Sequence, residues 1–91
     1  AVYERLVGQA PEDARAWFDR GVAKSHLNDL DGAIADMSKA LELDPSLADA
    51  YATRALALIH AERKSEACPD LHKANELGDP SVAELIAIYC E

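Results

Sequence analysis

The sequence predicts an all-α fold in which antiparallel helical hairpins stack as a short right-handed α-solenoid. Three observations lead there. Sliding the chain against itself by 34 residues pairs 14–47 with 48–81 at eleven identical positions, and a fixed period of that size marks a helical-hairpin repeat. The apolar half of the composition is mostly Ala and Leu, with few glycines and aromatics, which favours helix over strand. A chain of 91 residues also leaves room only for a core of simple, locally packed elements.

The identities include Ala16 with Ala50, Arg20 with Arg54, Ala23 with Ala57, His26 with His60 and Ala33 with Ala67. Asp36 with Asp70, Lys39 with Lys73, Ala40 with Ala74 and Glu42-Leu43 with Glu76-Leu77 continue the series. In chain order, 1–11 reads as the end of a preceding repeat helix, because Tyr3, Leu6 and Pro11 fall 34 residues before Met37, Ala40 and Pro45. The repeat 14–47 places helices over 14–27 and 31–44 around a turn at 28–30, with Asp31 as N-cap and Pro45 as the stop. The repeat 48–81 places them over 48–61 and 65–77 around a turn at 62–64, with Ser65 as N-cap. Pro69 removes an early hydrogen bond or delays the last of these helices, and Gly78 reads as its C-cap. Over 81–91 the apolar Val82, Leu85, Ile86, Tyr89 and Cys90 have the spacing of a one-sided amphipathic capping helix. The whole of 1–91 is read as one domain.

Trp17, Gly21, Ala33, Met37, Ala40 and Pro45 in the first unit, and Tyr51, Ala55, Leu58, Ala67, Leu71 and Ala74 in the second, carry the pattern of a known family. On these residues the chain resembles the tetratricopeptide-repeat (TPR) family. The resemblance implies that small residues let two helices approach closely, that large ones fill the gaps, and that the array holds a protein or peptide partner. Arg20, Arg54 and Lys24 depart from the pattern, standing where the family has Leu, Leu and an aromatic. One TPR subfamily grips a C-terminal carboxylate through Lys and Asn on its inner helices. Here Phe18, Val22, Thr53, Ala83 and Ala87 fill those positions, which argues against such a clamp. The segment 73–80 is also similar to Sel1-like repeats, but the 34-residue spacing favours TPR.

Seventeen acidic residues against nine basic ones give a net charge of −8, which disfavours nucleic-acid binding and reads as a solvated surface. No stretch approaches the roughly 20 apolar residues of a membrane span, and no secretory signal is visible. The compartment stays open, cytoplasmic or extracytoplasmic. No Gly-rich phosphate loop, nucleophile elbow or His-Glu-x-x-His helix occurs, so neither an enzyme nor a cofactor is expected. His26 and His60 lie on successive repeats whose like helices stand about 10 Å apart. One metal ion would not join them, and no metal is expected. A monomer is expected.

Three groups of candidate site residues follow. Arg20 with Asp36 and Arg54 with Asp70 are each 16 residues apart across a hairpin turn, which predicts two equivalent, partly buried structural ion pairs. Counting along the last hairpin brings Cys68 level with Cys90, either as proximal thiols or as a disulfide in an oxidising compartment. Once Trp17, Gly21 and Lys24, with Tyr51, Ala55 and Leu58, are assigned to packing, another stripe remains. Arg15, Phe18, Val22, Ser25, His26, Thr53, Leu56, Ile59 and His60 then form a partner-binding concave face. Phe18, Val22, Leu56 and Ile59 would be its apolar strip, open to water. His26 and His60 on its margin would make binding change as pH falls through about 6.5. The alternative is a purely structural repeat segment that packs against the rest of a larger protein and has no partner of its own.

Overall fold

The structure is a computed structural model that describes residues 13–90. The expected helix end at 1–11 lies outside the described residues. Four helices make two hairpins: α1 (Ala14–His26) with α2 (Leu30–Leu43), and α3 (Ala48–His60) with α4 (Lys64–Glu76). A 3₁₀ turn, Pro80–Val82, leads into the short α5 (Ala83–Tyr89). No strand occurs among the described residues, so the architecture is the all-helical repeat stack that the 34-residue period predicts.

Each hairpin closes on a left-handed residue. Asn28 and Glu62 have φ of 62°, and the amides of Asp29 and Arg63 just beyond donate back to the carbonyls of Lys24 (2.8 Å) and Leu58 (2.7 Å). This is the six-to-one bond of a Schellman cap. Gly78, at φ 99°, ends α4 the same way, with the Asp79 amide donating to the Ala74 carbonyl at 3.0 Å. These caps end α1, α3 and α4 one residue earlier than expected and start α2 and α4 one residue earlier, whereas the capping helix expected over 81–91 opens as the 3₁₀ turn and is α-helical only over Ala83–Tyr89. Asp29, not Asp31, therefore caps α2, its carboxylate accepting from the Gly32 amide at 3.1 Å. Arg63 rather than Ser65 stands at the N-cap of α4 and makes no side-chain cap bond. Pro69 lies inside α4, whose start it does not delay. With no N–H to give, it removes one helical donor.

Small residues bring the paired helices together. A side chain added at Gly21 would meet Met37 Cε at 2.8 Å and Asp36 Cβ at 3.2 Å, so α1 lies as close to α2 as glycine permits. Ala55, fully buried, holds the corresponding place in α3. Met37, Leu41 and Ala50 form one apolar cluster joining α2 to α3. Ala55, Leu58, Ala67, Leu71, Ala74 and Val82 form a second, which reaches the last turn. Each cluster spans neighbouring elements only, as expected of a solenoid.

Candidate functional site

Within each hairpin a buried aspartate meets an arginine from the facing helix. Arg20 donates from Nε and Nη2 to both oxygens of Asp36 at 2.8 Å each, and Arg54 does the same to Asp70 at 2.7 Å each. Lys24 Nζ adds a third contact to Asp36 at 3.4 Å. Asp36 and Asp70 are almost wholly buried, and the hydrogen bonds that Arg54 donates to Asp70 raise the Arg54 pKa against the opposing effect of burial. Among the described residues no buried side-chain N or O atom lacks a hydrogen-bond partner. Aromatic rings lie against both cations: Arg20 is 4.9 Å from the Trp17 ring centre and Arg54 5.7 Å from that of Tyr51.

The sulfurs of Cys68 and Cys90 are joined, with their Cα atoms 5.6 Å apart. The bond ties α4 to the end of α5.

The stripe expected to bind a partner is less open than its pattern suggests. Leu56 is 40% exposed, but Phe18 and Val22 are half-buried against the Met37–Leu41–Ala50 cluster, and Ile59 against the cluster containing Val82. The apolar strip expected to be open to water is one exposed leucine flanked by half-buried neighbours, none of them fully buried. The physical reason is that stacking brings α3 against α2, so the flanks of the stripe double as inter-hairpin packing. Ser25 and Thr53 are half-buried, and Arg15, His26 and His60 are exposed at the margin.

Two contacts go beyond the sequence-based expectation. Arg15 on α1 donates to Asp49 on α3 at 2.9 Å and stacks 4.7 Å from the Phe18 ring centre, so it bridges successive hairpins across the stripe. The Asp49 hydrogen bond raises the Arg15 pKa against burial, helped by the charges of Asp49, Asp19 and Asp44. The signal was available: the two residues are repeat equivalents of opposite charge. Arg54 Nη1 also reaches Ser38 Oγ on α2 at 3.1 Å, a second spacing of sixteen.

Two hollows flank these contacts. A shallow cavity of ≈ 430 Å³ runs from Arg15 and Asp49 to the turn at Leu77–Pro80. Another, of ≈ 440 Å³, lies between α2 and α4 and is lined by Ile34, Ser38, Arg54, Leu58 and Pro69 among others. Its cations are already engaged, Arg54 by Asp70 and Ser38, and Arg63 by Glu66 at 2.7 and 2.8 Å. No group of three or more His, Cys, Asp or Glu able to hold a metal ion occurs among the described residues, and no helix there is long and apolar enough to cross a membrane.

Residues 1–57 match the family model described as "Tetratricopeptide repeat". The chain is 36% identical over 61 residues to the Protein SGT1 homolog of Oryza sativa subsp. japonica, covering 67% of this chain and 17% of that protein. It is 34% identical over 73 residues to the DnaJ homolog subfamily C member 7 homolog of Dictyostelium discoideum, covering 80% and 13%. Among solved structures it is similar to the TPR2B domain of yeast Sti1 in complex with pHsp70, with TM-score 0.85 and 33% identity over 96% of this chain and 74% of that one. It is also similar to YrrB, described as a TPR protein with an unusual peptide-binding site, with TM-score 0.81 and 30% identity over 87% and 41%. The chain spans less than a fifth of the length of both curated relatives.

Proposed function

Because the chain belongs to the tetratricopeptide-repeat family, we propose that it holds a peptide segment of a partner protein on the face built by α1 and α3. The chain is a protein-interaction module, as are the solved structures it resembles, one of them in complex with pHsp70 and the other with a peptide-binding site. The observation that carries the choice of face is Leu56, a large apolar side chain 40% exposed. On the same face of α1 and α3 stand the exposed polar Arg15, Asp49, His26 and His60 and the half-buried Phe18 and Val22. An exposed apolar group among polar ones has more use in recognition than in stability. The hollow between α2 and α4 is the weaker candidate, since its charged groups satisfy one another.

One observation favours the structural reading instead: three of the four apolar stripe residues are already half covered by neighbouring helices. A peptide array probed with the full chain separates the two. Leu56→Asp, at an exposed position, should abolish peptide capture and leave the helical circular dichroism and melting unchanged. Capture of no peptide, or equal capture by the variant, would sink the proposal.

A further inference from the structure

The turns before α3 and α5 are built alike, but they recur at 35 residues rather than 34. Asp44 accepts from the Ser46 amide at 3.1 Å and hydroxyl at 2.6 Å, and Asp79 accepts from those of Ser81 at 3.0 and 2.5 Å. Leu47 and Val82 then stand at the N-cap positions of α3 and α5. The extra residue is absorbed in the turn at Leu77–Gly78. Matched on these turns, Asp49 corresponds to Glu84 and Thr53 to Ile88, where the 34-residue shift points to Ala83 and Ala87. By that register Glu84 and Ile88 take the positions that Asp49 and Thr53 hold in α3, and Ile88 is 66% exposed.

We propose that α5 is a third wall of the face of α1 and α3, presenting Glu84 and Ile88 to a basic peptide segment with apolar anchors, and that the Cys68–Cys90 bond holds it there. This rests on the reading that the face of α1 and α3 binds a peptide. Complementary charge selects the occupant. The face carries Asp49 and Glu84, and Asp19, which stands 34 residues before Thr53 and so holds its place on α1, against the one guanidinium of Arg15, which Asp49 already engages. On a chain of net charge −8 that excess steers basic segments inward and repels acidic ones, a second copy of this chain included. Leu56 and Ile88 supply the apolar contacts.

The bond matters because little else fixes α5. The helix has seven residues, none of them buried, and a helix so short does not persist in water alone. Val82 anchors its start, while Leu85 and Ile86 pack only in part. The disulfide secures the far end. Opening it takes two electrons and two protons from a thiol reductant, which leaves as its own disulfide. Closing it passes them to a disulfide oxidant, which leaves as two thiols.

The test uses the full chain, oxidised and in dithiothreitol. Hydrogen exchange over 83–90 should quicken about tenfold or more on reduction, and equally in Cys90→Ser without reductant, while 14–60 is unaffected. Unchanged exchange over 83–90 would overturn the role of the bond. The binding probes are short peptides with Leu and Phe anchors flanked either by Lys or by Glu. Lys-flanked peptides should bind the oxidised chain about tenfold more tightly than Glu-flanked ones, and lose about tenfold on reduction or in Ile88→Ser, which removes the apolar contact without changing the charge. Binding that Leu56→Asp abolishes but Ile88→Ser leaves intact defeats the third wall and spares the α1–α3 face. A preference for Glu-flanked peptides defeats the charge assignment. Capture of no peptide in any state defeats this proposal together with the function it rests on.

Discussion

Arg20 and Arg54 stand where the repeat pattern has leucine, and each would be a cation in a packing position without its aspartate. Removing one member of a shielded pair leaves the other charge stranded, at a cost of about 3 kcal/mol. Asp36→Ala, which removes the carboxylate shared by Arg20 and Lys24, should therefore lower the urea midpoint by up to that equivalent without changing the slope. Arg54→Lys is the finer probe. Lysine keeps the charge but cannot hold both Asp70 oxygens and Ser38 at once, so a loss of about 1–2 kcal/mol is expected. A neutral outcome in both would show that solvent, not the partner, satisfies these charges. The pairing was legible because a spacing of sixteen spans one hairpin turn. The third Arg54 contact was not, because Ser38 belongs to the preceding hairpin and a hydroxyl gives no charge signal.

At the scale of the element, the hairpin turns require a residue of positive φ, and Glu62 is the costly occupant. Glu62→Gly should stabilise the chain by about 0.5–1 kcal/mol, since glycine adopts φ near 60° without steric penalty. The melting temperature reads this directly, and a fall would show that the Glu62 side chain contributes more than its backbone costs. The surface also gives a pH dependence. Ser46 hydrogen bonds hold the Asp44 carboxyl below its usual range, and the Arg63 hydrogen bond does the same for Glu66. Groups depressed in the folded state contribute stability that is fully present above their unfolded pKa values and lost as pH falls through the folded ones. Asp44→Asn with Glu66→Gln should therefore flatten the acid limb of a stability profile below about pH 4. Helix spans were legible to within about a residue from the 34-residue period, whereas the N-caps of α2 and α4 were not. Asp29 and Asp31 are equally good caps on paper, and only the backward bond of the Schellman turn decides between them. Gly78 was legible as a cap, but the one-residue insertion it accompanies was not, which is why Ile88 escaped a strict 34-residue count.

For the whole molecule, two kinds of contact join the hairpins, and their magnitudes differ. Arg15–Asp49 is half exposed on both sides, so it contributes under about 1 kcal/mol and less at high salt. The Ser38–Arg54 bond is part-buried and contributes about 1 kcal/mol. Leu41, 7% exposed in the cluster with Met37 and Ala50, sits where α2 meets α3. Its truncation removes buried methyl groups and leaves a cavity, at a cost of about 2–5 kcal/mol. Stacking thus rests on apolar burial between neighbouring hairpins, with the Arg15–Asp49 ion pair as a lesser tie across the face of α1 and α3. Leu41→Ala should accordingly lower the urea midpoint several times more than Arg15→Ala, and its effect should persist in molar salt while that of Arg15→Ala disappears. Comparable losses, both relieved by salt, would mean that charge rather than burial couples the repeats.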